Sequence, residues 1–304
     1  MLNKMIDIII TSYGEPKATA RAIDSFLKQD IKEKFKITII DPFPKIEDFL
    51  KNKYGKKINF FLDPGEGKSY ALNLFLEKIY SQNKNDIIIF SDGDVYVSDN
   101  SVKEIINKFK DYEIGCVTGK PVVLNPRNEF FGYASHVVFD GIDRVRSNFS
   151  EKNEFFECSG YLFAMRNGVL QGFPLEVSED AIISYLFWKK GYRIKYVPKA
   201  EVYVLNPQNW KDFMLQKIRN IKGHENLNKI APDMPRTKSF WNEVKGSFFA
   251  LAYPRNLREI FFTPLLFATR LYIYLKAFYG IKFKKQEYSD GWRIKETEST
   301  KPLD

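Results

Sequence analysis

The stretch Asp86-Ile87-Ile88-Ile89-Phe90-Ser91-Asp92-Gly93-Asp94 decides how the chain is read. Four consecutive apolar residues run into two carboxylates separated by one glycine. An apolar run this short, bounded by polar residues, reads as a strand buried on both faces of a sheet. Its end delivers Asp92 and Asp94 to a rim, where open α/β sheets bind their ligands. Two carboxylates this close repel unless something positive lies beside them, and a hard divalent cation with oxygen ligands answers that need. The same residues also fit an Asp-Gly turn with solvated acids.

Upstream of this stretch the pattern alternates regularly. Residues 5–11 form a first strand, with Asp7 interrupting its apolar run, and Pro16 opens a helix that continues through Ala18 to Leu27. Phe35 to Ile40 make a second strand ending at Asp41, Ile46 to Tyr54 a helix, Ile58 to Leu62 a third strand, and Ser69 to Tyr80 a helix before the strand ending at Asp92. This β-α-β-α-β-α-β alternation calls for a parallel, doubly wound sheet with right-handed crossovers. Downstream, Val102 to Phe109 reads as helix and Gly115 to Val123 as strand. Residues 125–157 read as loop-rich and Ser159 to Arg166 as strand. Ser178 is placed to cap a helix over Ala181 to Lys190, Tyr192 to Val204 supplies further strands, and Asp212 to His224 is a basic helix.

Composition narrows the function classes. Cys116 and Cys158 lack CxxC spacing, and His136 and His224 are the only histidines, so neither a disulfide framework nor a zinc or His-rich centre is indicated. The net charge is +9 over 304 residues. Residues 236–285 carry ten Lys/Arg against Glu243 and Glu259, whereas 286–304 carry three basic residues against five acidic. The excess charge is local, which argues against a nucleic-acid binder. No signal peptide is read at the N-terminus, so a cytoplasmic protein is expected.

Gly65-Glu66-Gly67-Lys68-Ser69 imitates a nucleotide-triphosphate P-loop, but Leu62 stands where that motif needs its first glycine. Lys68, before a helix, can still meet a phosphate as a point charge.

Taken together, Thr11-Ser12-Tyr13, Asp41, Lys68 to Asn73, Asp92-Gly93-Asp94, Ser159-Gly160, Glu179-Asp180 and Gln216-x-x-Arg219 resemble, in order and separation, the family-2 glycosyltransferases. The resemblance runs from about Ile6 to about Asn226. It implies a GT-A nucleotide-sugar-binding α/β fold, a Rossmann-like, mostly parallel sheet flanked by helices, with a C-terminal helical appendage. It further implies a catalytic domain over 1–235, while charge and aromatic content set apart a basic aromatic helical appendage over 236–285 and a polar tail over 286–304. The implied activity is metal-dependent, inverting transfer of a sugar from a nucleotide-diphosphate sugar to an acceptor hydroxyl on a glycan or lipid-linked acceptor. Asp180 would be the general base with Glu179 beside it, a role that competes with simple helix capping by both acids. Asp94 and Asp92 would hold Mg²⁺ or Mn²⁺. Thr11, Tyr13, Glu15, Asp41, Lys68, Asn73, Asp92, Gln216 and Arg219 would bind the nucleotide sugar; Tyr13 also fits ordinary packing. Where the family's QxxRW motif ends in Trp, Asn220 stands here, which argues against a processive polymer synthase. A non-catalytic nucleotide-sugar-binding protein on the same fold, and a glycoside hydrolase using Asp94 and Asp180 as paired carboxylates, are the competing readings.

Residues 239–283 lie beyond the motifs. Trp241, Val244, Phe248 and Leu251 repeat at helical spacing, and Leu257 to Tyr279 is apolar round most of a helix, with Pro254 and Pro264 expected to break or kink it. Arg270 near the middle favours attachment to an anionic membrane surface on the cytoplasmic face over a span. Packing on the catalytic domain or in a dimer interface is the alternative.

Overall fold

A computed structural model of the chain describes residues 4–237, 240–246 and 248–284; the tail expected over 286–304 lies outside them. In chain order the strands are β1 (Met5–Thr11), β2 (Lys34–Asp41), β3 (Asn59–Leu62), β4 (Ile87–Asp92), β5 (Tyr96–Val97), β6 (Ile114–Val123), β7 (Leu162–Arg166) and β8 (Arg193–Val204). The helices are α1 (Pro16–Leu27), α2 (Pro44–Tyr54), α3 (Lys68–Ile79), α4 (Ser101–Lys108), α5 (Phe130–Glu151), α6 (Glu179–Lys189), α7 (Trp210–Ile230), α8 (Phe240–Gly246), α9 (Phe248–Leu251) and α10 (Leu257–Lys282). They form two compact units. The first comprises residues 4–122 and Phe149–Val204, and the second Val123–Asn148 and residues 205–284.

The first unit is built on a sheet ordered β3-β2-β1-β4-β7-β6-β8-β5. Strand β4 is central and buried on both sides through Ser91, as its unbroken apolar run requires. β1 pairs in parallel with β2 and β4, and β2 with β3, through the crossover helices α1, α2 and α3. The parallel description holds for this half alone. β7 runs antiparallel to both β4 and β6, and β5 antiparallel to β8, so the whole sheet is mixed. The cause is connectivity: between β4 and β7 the chain leaves through β5, α4, β6 and α5, and re-enters from the opposite end.

Register brings the site together. Thr11 lies opposite both Ile40 and Asp92, so the ends of β1, β2 and β4 share one rim. Gly93 donates its N–H to the Thr11 carbonyl at 2.7 Å, and a Cβ there would stand 2.9 Å from that of Ser12. The glycine between the two acids lets the end of β4 lie against the loop after β1.

Asp7 is the exception in β1. Burial pushes its carboxyl up to about 6, the opposing Lys36 only partly offsetting this. Between the ordinary carboxylate range and pH 6 the folded chain holds this proton while the unfolded chain has released it. Stability therefore falls as pH rises through that window. Asp7→Asn is expected to stabilise the fold at pH 7 by about 1 kcal/mol after allowance for solvent screening, with the gain vanishing near pH 4, as read by denaturant unfolding at the two pH values.

In the second unit, α5 occupies most of the segment read as loop-rich. Its Gly132, Gly141, β-branched and aromatic residues carry weak helix propensity. Tertiary packing overrides this: Tyr133, Ala134 and Val137 enter one apolar cluster with Phe213, Ala250, Leu266 and Ile273. Arg127 grips Glu259 through Nε at 2.7 Å and a second nitrogen at 2.9 Å, and donates to the Tyr253 hydroxyl at 2.7 Å. These bonds hold Glu259 below the usual glutamate range.

α10 runs on through Pro264, which does not end it. Residues 260 and 264 both face outward, so the missing hydrogen bond falls on the exposed side. The helix is patterned inside out. Glu259, Thr263, Thr269, Ala277 and Gly280 are among its buried residues, whereas Leu257, Phe261, Leu275 and Phe278 are more than half exposed. Among the described residues it is the one helix long and apolar enough to cross a membrane.

Candidate active site

Lys68 opens α3 and stands between two carboxylates. Its Nζ lies 2.6 Å from Asp92 Oδ1 and 2.6 Å from Glu179 Oε1. Burial alone would lower the ammonium pKa; Asp92 and Glu179 outweigh it and hold Lys68 well above the usual lysine range. Thr11 Oγ1 donates to the same Asp92 oxygen at 3.3 Å. The end of β4, the start of α3 and the start of α6 thus converge on one ammonium group.

Glu179 is the buried member of the Glu-Asp pair, whereas Asp180, the next residue of α6, is half-buried. Ser178 occupies the cap position, but its side chain makes no capping hydrogen bond. Gly160 makes room for Asp180, since a Cβ there would lie 3.0 Å from Asp180 Oδ2. The Ser159-Gly160 and Glu179-Asp180 motifs are therefore adjacent in space.

Asp41 is fully buried. Its Oδ2 accepts the Gly14 N–H at 2.9 Å and its Oδ1 the Phe43 N–H at 2.8 Å. The carboxylate ties the loops after β1 and β2 to each other and brings Tyr13 against Phe43, edge to face, with ring centroids 5.1 Å apart. Both rings are exposed. Phe43 escaped the sequence reading; its signal is an aromatic two residues after the acid that ends β2.

Asn73 is committed to the fold. Its Nδ2 donates to the Phe173 carbonyl at 2.7 Å and its Oδ1 accepts the Phe173 N–H at 2.7 Å, tying α3 to the segment before α6. Glu15 is the cap residue of α1, without a side-chain capping bond, and its carbonyl accepts the Thr19 hydroxyl at 2.7 Å. Gln216 and Arg219 belong to the second unit, on α7; Gln216 is buried and its Oε1 has no hydrogen-bond partner.

Among the described residues no three His, Cys, Asp or Glu side chains are placed to hold a metal ion. Asp92 and Asp94 remain, and two carboxylates at one strand end fit a Mg²⁺ or Mn²⁺ ion that completes its shell with substrate phosphates and water. Asp92 also bonds Lys68 and Thr11 through Oδ1.

The mixed sheet, with Asp41 and Asp92 ending two of its parallel strands, Lys68 opening α3 and Glu179 and Asp180 opening α6, has the GT-A transferase fold. The mannosyltransferase PcManGT from Pyrobaculum calidifontis, solved with GDP-Man and Mn²⁺, shares it, with a TM-score of 0.58 and 14% identity over 92% of this chain and 81% of that one. The model of glycosyl transferase family 2 matches residues 7–173, more than half of the chain, and the chain belongs to that family.

Curated relatives include the poly-beta-1,6-N-acetyl-D-glucosamine synthase of Staphylococcus epidermidis, 24% identical over 81% of this chain and 59% of that protein. An N-acetylglucosaminyltransferase of Rhizobium meliloti is 22% identical over 70% of this chain and 54% of that protein. The chain thus spans little more than half the length of these relatives.

Proposed function

We propose that the protein is a metal-dependent, inverting glycosyltransferase that moves a sugar from a nucleotide-diphosphate sugar to the hydroxyl of a glycan or lipid-linked acceptor. The observation that carries this reading is the Lys68 bridge, which joins the acid ending β4 to the helix bearing Asp180. Asp180 takes the proton from the acceptor hydroxyl as its oxygen attacks the anomeric carbon, and the bond to the diphosphate breaks on the opposite face. Lys68, at a helix N-terminus, faces the departing diphosphate with positive charge. Asp94, with Asp92, would hold Mg²⁺ or Mn²⁺, which when bound neutralises charge on that diphosphate. Tyr13 and Phe43 supply aromatic surface for the base, on loops held by Asp41. Thr11, which ends β1, and Glu15, the cap residue of α1, stand at the two ends of the first of those loops.

The curated relatives make a nucleotide-linked N-acetylglucosamine the first donor to test. Thermal shift with a panel of nucleotide sugars and Mn²⁺, followed by transfer assays, examines the reading. Stabilisation by one donor followed by transfer supports it; stabilisation by none overturns it, since a ligand of the folded state must raise its melting point.

The outward face of α10, with exposed Arg258, Lys276 and Lys282 and with Arg255 just before the helix, supports peripheral attachment at the cytoplasmic face of an anionic membrane. The protein is expected to float with anionic liposomes at low salt and less with neutral ones. Remaining in the soluble fraction in both cases would count against attachment.

A further inference from the structure

Within the first unit a cavity of about 410 Å³ opens beside α1 and the edge strand β5. Lys17, Arg21 and Lys28 from α1 and its C-terminal end, Lys53 from α2, and Tyr96 from β5 line it, with Asp24 and Asp99 as its acids. We propose that this cavity is a second binding site, for a ligand carrying a multiply charged oxyanion such as a diphosphate or a run of carboxylates.

Four cations against two carboxylates leave the wall positive. Asp24 pairs with one of these cations, accepting Lys53 at 3.4 Å beside the Tyr54 hydroxyl at 2.8 Å, which sets Lys17, Arg21 and Lys28 against Asp99. Arg21 lies with its guanidinium carbon 4.8 Å from the centroid of Tyr96, and Tyr96 stacks on Tyr203 at 4.9 Å. Stacking restricts the guanidinium, and a planar fork held in this way is suited to bidentate recognition of phosphate or carboxylate. The lysines add point charges around it. The volume falls in the range of small-molecule sites, and cations spread over α1 and α2 suit a ligand with more than one charged group.

Position adds a second argument. Lys17 is in the first turn of α1, shortly after Gly14, and Tyr96 is two residues beyond Asp94. The two segments that carry the candidate donor site continue directly into this wall. None of Lys68, Asp92, Asp94, Glu179 or Asp180 lines the cavity, so binding here is separable from the transfer reading. The oxyanion has two possible sources, a free diphosphate or an anionic group on a glycan.

Calorimetric titration of the full chain in EDTA at low salt distinguishes them, using inorganic pyrophosphate in one arm and polygalacturonate in the other. Saturable binding is expected in at least one arm. It should weaken by about tenfold or more both in the Lys17→Glu/Lys28→Glu double variant and in Arg21→Gln, and should fade with added salt. Pyrophosphate binding assigns the site to a free polyphosphate; polygalacturonate binding alone assigns it to the glycan. The double variant changes only exposed side chains and leaves the Arg21–Tyr96 stack in place, so the test does not depend on Arg21→Gln folding. No saturable binding in either arm, or binding undiminished in the double variant, overturns the proposal. Pyrophosphate binding lost in Lys68→Met but retained in the double variant would place the anion at the donor rim and overturn it equally.

Discussion

Asp180→Asn is expected to lower the transfer rate by about 10²–10⁴-fold while leaving donor binding close to that of the unaltered protein. The amide keeps the size of the side chain and its fit against Gly160, where space is tight. What it loses is the ability to take a proton from the acceptor hydroxyl. Single-turnover transfer measured beside donor titration separates the two effects. Full transfer activity in the variant would remove Asp180 from the role of base. A parallel loss of donor affinity would instead mean that the carboxylate shapes the donor pocket.

Lys68→Met is expected to cut kcat/KM by about 10–100-fold, the range set by losing a hydrogen bond between charged groups. The consequence reaches beyond one phosphate contact. Without the ammonium, Asp92 and Glu179 face each other unscreened, and Glu179 is buried. The start of α6, which carries Asp180, then loses its tie to the end of β4. Both kcat and donor affinity should therefore fall, whereas loss of a phosphate contact alone would act chiefly on donor affinity. Glu179→Gln combined with Lys68→Met should show coupling, because the two side chains share one contact. Additive effects would separate Glu179 from the site. The bridge is insensitive to neutral pH: with the lysine pKa raised on folding, its stabilisation is complete below the ordinary lysine range and is lost only as pH rises through the higher folded value.

These two residues also show how a role can be legible while its means is not. Lys68 and Asp180 were readable as candidates from short motifs. That Glu179 serves by gripping Lys68 was not, because 111 positions separate them and no local pattern encodes the pairing. The bonds of Asn73 were equally illegible: its place in the Lys-Ser-Tyr-Ala-Leu-Asn stretch suggests a nucleotide contact, and the pairing of both ends of its amide with the Phe173 backbone, 100 positions away, has no local pattern. Asp41, expected to meet the nucleoside, is fully buried and accepts the Gly14 and Phe43 N–H groups, so it organises the two loops that display Tyr13 and Phe43.

By itself the sequence determined the parallel half of the sheet. Strands buried on both faces are continuous apolar runs, and the acids, prolines and glycines that end them mark the rim, so β1 to β4 and their helices could be drawn from local pattern. It also determined which acids stand at the rim, since Asp41 and Asp92 terminate strands by position alone. Only the tertiary structure decided the antiparallel half, the helix α5 and the inside-out face of α10. Each depends on what the segment packs against: β7 returns between β4 and β6 after a long excursion, α5 is held by an apolar cluster drawn from three other helices, and α10 buries Glu259 because Arg127 reaches it from far along the chain. Short-range periodicity records burial and turns. It does not record which distant partner supplies the burial, and in this chain that partner decides where the charges meet.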